Sequence, residues 1–503
     1  MSIAPGKTGR SIAGAPWLTQ GALPRLLAML DGDGEEARAV GGAVRNTLID
    51  KPVQEIDVAT TALPDEVVRR AKAAGCKTVP TGIAHGTVTV VVDRQPFEVT
   101  SLRQDTATDG RHATVAFGRD WKTDAERRDF TINALSATRD GAVFDYVGGL
   151  ADLEVRRVRF IGDPHKRIAE DYLRILRFFR FHAAYGPGGH PDAAGLAACI
   201  AGRAGLDTLS RERVRMEIMK LLVAPHATPT LVAMNDAGLL EQVLGGIAYL
   251  AAYENLAKAE AAIGEEADPA RRLGALGVMV AEDAERLWQR LRLTNHERIR
   301  LASMAEGWRR ISSGLSDAAQ RALLYRLGLE HFVDHALLGW ARSEAPASDP
   351  AWHALATLPQ RWSVPVFPLK GGDFIKRGIA KGPALGAALR TAEGAWIKAG
   401  FPVDAAAIAI LADAAAFQAK LKFTRYFEEQ VLRKRPYIER EWCAAVLAAP
   451  IRREVQTDGR IRFWGRITLP SGVQPRILRV VTLEDGQTLH NAFFDRNFRE
   501  EDI

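Results

Sequence analysis

The apolar period of this chain changes twice along its length, and that change constrains the fold more than any other feature. From Ala39 to Phe160 short runs alternate: Thr87-Val-Thr-Val-Val-Val-Asp93, Phe97-Glu-Val-Thr100 and Ala142-Val-Phe-Asp145 are β-rich and bounded by turn residues. From Arg167 the spacing becomes i, i+3, i+4, as in Ile168 to Phe181, Arg211 to Leu222 and Ala270 to Leu291, which predicts helices. After Arg433-Lys-Arg-Pro436 the pattern returns to strands, Arg460 to Ile467 and Arg476 to Thr482. The expected fold class is therefore α+β. Five parts are expected: an N-terminal extension with one helix at 1–35, an α+β domain at 36–160, and helices at 161–225 and 226–425. A separate β-rich domain of unknown function follows at 426–503.

At 503 residues, 47% hydrophobic and 25% charged, the chain has enough core for several domains and is not disordered. The 67 Lys and Arg against 61 Asp and Glu leave +6, which permits a phosphate-rich partner without demanding one. Cys76, Cys199 and Cys443 are odd in number and far apart, which argues for a reducing compartment, packing roles and no cysteine zinc site. No apolar run approaches the ~18 residues of a membrane span, and MSIAPGKTGRSIAG lacks a signal-peptide core. A cytoplasmic protein without a membrane partner is expected.

Val40-Gly-Gly-Ala-Val-Arg45 places a glycine pair ahead of a helix, where backbone N–H groups and the helix dipole suit a phosphate. Such a pair is more often only a turn. Ten residues on, Glu55-Ile-Asp57 reads as extended, so both carboxylates project from one face, a costly arrangement unless a cation sits between them. Hard oxygen ligands suit Mg²⁺. A solvated strand face is the alternative. Glu98, on a later strand, is a candidate third carboxylate. Arg127-Arg-Asp129 adds two cations and a possible cap. In Glu170-Asp-Tyr-Leu-Arg-Ile-Leu-Arg-Phe-Phe-Arg180, residues Asp171, Arg174, Arg177 and Arg180 recur every third position, forming one polar ridge if the segment is a single helix.

Together, Gly41-Gly42-x-x-Arg45, Glu55-x-Asp57, Arg127-Arg128-Asp129 and Glu170-Asp171-x-x-Arg174 resemble the class II tRNA nucleotidyltransferase (CCA-adding enzyme) and bacterial poly(A) polymerase family. Leu209 to Glu217 is similar to the family's neck-helix motif, and Leu369 to Gly378 with Gly382 to Gly386 is weakly similar to its tRNA-binding tail. Two positions depart: Glu55 stands where the family more often has Asp, and Asn46 where Asp usually follows the arginine.

The resemblance implies a polymerase β-like palm at 36–160, a helical neck for nucleotide selection at 161–225, and a body and tail binding tRNA at 226–425. It implies Glu55 and Asp57 as catalytic Mg²⁺ ligands, with Glu98 as a third catalytic carboxylate. Gly42 and Arg45 would lie at the triphosphate, and Arg127, Asp171, Arg174, Arg177 and Arg180 at other nucleotide contacts. The implied reaction joins the 3′ end of tRNA to CTP and ATP without a nucleic-acid template, releasing pyrophosphate by two-metal chemistry. Cytosine and adenine share an amino donor beside a bare ring nitrogen, so an Asp that only accepts and an Arg that only donates select both.

Thr81 to Thr89 resembles the CCA-adding branch. The polar segment Arg103 to Asp124, with Gly110-Arg111-His112, is expected to be the flexible loop for terminal A addition. Alternatives are a poly(A) polymerase, a CC- or A-adding specialist and, in a different class, a non-catalytic RNA-binding protein. His331, His335 and His353 lack metal-ligand spacing and read as surface or packing residues. Arg460, Arg462, Arg466, Arg476 and Arg479, interleaved with Phe463 and Trp464, fit an RNA contact or a solvated sheet face.

Overall fold

A computed structural model of the chain describes residues 6–82, 86–108, 113–468 and 475–498. It divides into two compact units, residues 1–314 with 330–357, and residues 315–329 with 358–503.

The first unit opens with ten strands: β1 (Lys7–Ser11), β2 (Ala37–Val40), β3 (Asp57–Thr60), β4 (Lys77–Gly82), β5 (Thr87–Val92), β6 (Gln95–Ser101), β7 (Arg103–Thr108), β8 (Ala113–Phe117), β9 (Ser136–Ala137) and β10 (Ala142–Phe144). Eight of them form one sheet in the order β1-β10-β9-β2-β3-β6-β5-β4, with β3 and β6 parallel. Alternation drives this pairing: Val88, Val90 and Val92 point inward from β5 while Thr87, Thr89 and Val91 are only half buried. Helices Ala22–Leu30 and Pro64–Ala73 pack on that sheet. The former buries Leu23, Leu26, Leu27 and Leu30, each worth about 1.5–3 kcal/mol of transfer free energy.

Three expectations change here. Residues 1–35 are not a separate extension, because β1 pairs with β10 and Ile12 to Leu30 enter the main core. The strand expected around Glu55 begins only at Asp57, leaving Glu55 in the preceding irregular stretch. The loop expected at 103–124 contains β7 and β8, paired as a two-stranded sheet, and the helix Trp121–Glu126, started by Asp120 accepting from the N–H groups of Lys122 and Thr123. Gly110-Arg111-His112 and the centre of Thr81 to Thr89 lie outside the described residues.

The single helix expected over Ile168 to Phe181 is two, Pro164–Glu170 and Leu173–Tyr185. Asp171 breaks it with an extended backbone (φ −157°, ψ 107°), and its carboxylate accepts from the N–H of Leu173. Ala270 to Leu291 likewise divides into Pro269–Gly277 and Ala281–Leu291, because Asp283 accepts from the N–H groups of Met279 and Val280 and starts a new helix. Arg211–Leu222 is continuous. One apolar core runs from Ile12 through the sheet and neck to Ala305.

In the second unit, helices Gly371–Lys376, Pro383–Lys398 and Ala405–Lys420 share a small alanine-rich core around Phe374. Beyond them β11 (Lys422–Phe423), β12 (Arg452–Val455), β13 (Ile461–Ile467), β14 (Arg476–Thr482) and β15 (Thr488–Phe494) form a sheet in the order β11-β15-β14-β13-β12. Helix Arg440–Ala448 lies against it. A Cβ on Gly465 would fall 2.7 Å from Val446 Cγ2, so only glycine permits that approach. Because β11 precedes residue 426, this sheet starts earlier than expected.

Candidate active site

Gly41 turns the chain out of β2 with φ +67°, a value that favours glycine, and opens the helix Gly42–Leu48. A Cβ there would lie 3.4 Å from the Asn133 carbonyl and 3.5 Å from Arg128 Nη1. Asp57 pairs across from Val40 on one side and in register with Glu98 on the other. Glu98 and Asp57 are exposed at this sheet position, with Glu55 two residues upstream. Partial burial, then the Glu98 carboxylate and, more weakly, Glu55 hold the Asp57 carboxyl above its ordinary value, with Arg128 opposing them.

Among the described residues no Lys, Arg or His forms an ion pair with Glu55, Asp57 or Glu98. Mutually repelling carboxylates without an ion-pair partner fit a hard divalent ion, which tolerates water and phosphate as its remaining ligands. No three His, Cys, Asp or Glu side chains among the described residues converge on one point, so the protein alone does not complete a cage.

Arg127, Arg128, Arg177 and Arg180 are each tied to a carboxylate. Asp124, buried on the Trp121–Glu126 helix, receives Arg127 at 2.7 Å and Arg128 at 3.2 Å. Burial pushes the Asp124 carboxyl up, but the two guanidiniums outweigh it and the net shift is downward. Arg177 reaches Asp129 at 2.6 Å and Glu217 at 3.7 Å, while Arg180 pairs with Glu217. Asp129 is not a helix cap. It accepts from the Phe130 N–H, the Asn133 amide and Arg177.

Arg45 is 5% exposed and donates to Asn133, Asn46 and the Tyr185 hydroxyl, with its guanidinium 3.8 Å from the Tyr185 ring centroid. It therefore ties the glycine turn to the helix Leu173–Tyr185, and Gly42 is the first residue of the helix that follows the Gly41 turn. Asn46 supplies the acceptor that an aspartate would, and its amide donates to the Pro52 carbonyl.

The ridge expected from Asp171 to Arg180 is not one helix face. Asp171 sits in the break, one oxygen on the Leu173 N–H (3.1 Å) and the other on Arg213 (2.6 Å). Arg174 donates through Nη1 to Glu170 and the Arg167 carbonyl, leaving Nε and Nη2 without a protein partner among the described residues. Arg167 ties the helix Pro164–Glu170 to the preceding sheet domain by donating to the carbonyls of Arg127 and Arg128, and it pairs with Glu170 at 2.7 Å. Asp124, Asn133, Arg167, Arg213 and Glu217 thus hold the site together without having been assigned a role from sequence, as does Glu170, which the motif quoted without a role. Only the i, i+4 spacing of Asp124 to Arg128 and of Glu170 to Arg174 signals them, since the other partners are distant in sequence.

Residues 37–159 match the poly A polymerase head domain, and residues 196–250 the probable RNA and SrmB- binding site of polymerase A. The chain is 35% identical over 387 residues to CCA tRNA nucleotidyltransferase 1, mitochondrial, of Mus musculus, a match spanning 76% of this chain and 87% of that protein. The chain belongs to the CCA-adding tRNA nucleotidyltransferase family. A CCA-adding enzyme of Limosilactobacillus fermentum is 33% identical across 73% of this chain and 90% of its own length. The crystal structure of the Bacillus stearothermophilus CCA-adding enzyme in complex with CTP is 26% identical, with TM-score 0.61 over 79% of this chain and 97% of that one. The Thermotoga maritima CCA-adding enzyme complexed with tRNA shares the fold at TM-score 0.59 and 18% identity, covering 81% and 98%. The CCA-adding family uses a divalent metal, and no helix among the described residues is long and apolar enough to cross a membrane.

Proposed function

We propose that this chain adds CCA to the 3′ end of tRNA from CTP and ATP, releasing pyrophosphate. The supporting observation is that Asp171 and Arg174, to which we assign base selection, lie in the same unit as the Asp57 and Glu98 carboxylates, in a chain 35% identical to CCA tRNA nucleotidyltransferase 1. Mg²⁺ held by Asp57 and Glu55, with Glu98 beside them, would lower the pKa of the attacking 3′-hydroxyl and offset charge on the triphosphate. The turn at Gly41 and Gly42, with Arg128 beside it, orients the phosphates. Arg127, Arg177 and Arg180 surround the nucleotide with charge already balanced by Asp124, Asp129 and Glu217, so their positions are fixed before binding. Arg45 acts one layer back, through Asn133 and Tyr185.

Asp171 accepts the base amino group and the free N–H groups of Arg174 donate to the adjacent ring nitrogen. Uracil and guanine would set carbonyl against carboxylate, and a buried polar site rejects such a mismatch strongly. Free Cys76, Cys199 and Cys443 support a reducing compartment such as the cytoplasm. The deciding experiment supplies tRNA ending in CC, in C or with neither, plus each labelled triphosphate. Addition of C, C and then A supports the reading. Adenosine tails without CTP use would make it a poly(A) polymerase.

A further inference from the structure

The C-terminal sheet carries an open cleft of about 860 Å³ at the paired ends of β14 and β15, lined among others by Arg435, Tyr437, Arg476, Phe493, Phe494 and Arg496. Its chemistry is one-sided. Arg476 and Arg496 are exposed and form no ion pair among the described residues, and the same holds for Arg433 and Lys434 just before the cleft. Among the described residues the one acid of the lining, Asp495, is occupied by the Trp464 indole N–H at 2.9 Å and Arg479 at 3.4 Å. Even so, burial and the neighbouring Arg462 hold Arg479 below the ordinary arginine value against the pull of Asp495. Positive charge is in excess here.

The aromatic rings supply the second half of the recognition. Tyr437 is 55% exposed and stacks on Phe494, with centroids 6.1 Å apart and planes 14° from parallel. Arg479 and Arg435 lie 4.1 and 5.3 Å from the Phe493 centroid, and Arg476 5.8 Å from that of Phe494. Arg435 is fixed by donating to the Asn491 side chain at 3.0 Å and the Ala492 carbonyl at 2.9 Å. An exposed ring that extends a stack, flanked by unpaired guanidiniums, matches an unpaired nucleic-acid strand, whose bases stack on aromatics while arginines track its phosphates. A protein partner would need acidic groups and gain little from the stack.

We propose that this cleft is a second RNA-binding surface that takes an unpaired stretch of the tRNA substrate. It rests on the tRNA reading given above and adds a contact outside the polymerisation site.

The test uses the full chain, with fluorescence anisotropy on labelled tRNA lacking CCA and on a labelled oligouridylate, across a salt series. Arg476→Ala combined with Arg496→Ala removes two phosphate contacts and flattens the slope of log affinity against log salt by about 1.4. Tyr437→Ala removes the exposed ring and weakens both RNAs roughly 10-fold without changing that slope. The KM for tRNA in CTP incorporation rises in parallel. Wild-type incorporation combined with unchanged affinity and slope in both variants overturns the proposal. Failure of the wild type to incorporate CTP or ATP overturns instead the activity reading, and binding of the two RNAs still judges the cleft.

Discussion

Asp171→Ala tests the base selection proposed for a carboxylate that also has a structural job. Structurally, the change removes the acceptor for the Leu173 N–H at the start of a 13-residue helix and the half-exposed pair with Arg213. Losing the acceptor costs about 0.5–2 kcal/mol, and the ion pair adds at most about 1 kcal/mol. Functionally, it removes the acceptor for the base amino group, about 1.5–3 kcal/mol, or roughly 10- to 150-fold in CTP and ATP use. Asp171→Asn divides the two effects. Its amide oxygen still accepts from Leu173, so the helix start is kept and only the Arg213 pair, at most about 1 kcal/mol, is lost, while the new NH₂ can donate toward a carbonyl. UTP and GTP therefore gain relative to CTP and ATP in both variants, and more so in Asp171→Asn. Steady-state kcat/KM for all four triphosphates on tRNA lacking CCA, with thermal unfolding of each variant, measures both effects. Equal slowing of all four triphosphates in both variants would refute the selector role and leave Asp171 as a helix-starting residue.

Asp57→Asn is expected to abolish incorporation while tRNA affinity, by filter binding, changes only a few-fold. Because the Asp57 carboxyl is held above its ordinary value, activity should fall as pH drops through that raised value. Glu98→Gln removes a raising charge and moves the acid limb of residual activity to lower pH, which a pH–rate profile reads. Burial raises the Asp129 carboxyl, but Arg177 and Asn133 outweigh it, so the group lies below its ordinary 3.8. Its stabilisation is then present above the unfolded value and disappears as pH falls through the lowered folded one. Asp129→Ala should accordingly lower the melting temperature at pH 7 and narrow the gap from wild type in acid. A chain ending at Lys420, before β11, should still fold and extend tRNA, whereas one ending at Arg425 leaves Leu421 and Phe423 without their sheet and should be less soluble.

The legible parts of this protein were those written in local period. Thr87 to Val92, Gln95 to Ser101 and Arg476 to Thr482 announce themselves by alternation, and Arg211 to Leu222 by its helical spacing. Lys7–Ser11 was invisible because an edge strand of Lys-Thr-Gly-Arg-Ser buries almost nothing and is held by backbone pairing to β10. The break at Asp171 hid behind apolar spacing that continues across it, since a side chain competing for one N–H leaves no trace in period. At the site, Asp57 and Arg174 could be found from their motif. Glu217, 37 residues from Arg180, and Asn133, 88 residues from Arg45, became meaningful only once the fold had brought them together.

The core that runs unbroken from Ile12 to Ala305 has a mechanical meaning. Swinging the neck against the strand that bears Asp57 would pull Phe178 away from Phe130 and Phe160, whose ring centroids lie 6.3 and 5.3 Å from its own, and expose these faces to water. Each such ring is worth about 1.5–3 kcal/mol of burial, so a hinge there is expensive at every turnover. The helix that follows Asp171 and the strand that carries Asp57 are thus cast in one piece. On the selection we propose for Asp171, the growing 3′ end would then move past a selector held fixed relative to the carboxylates.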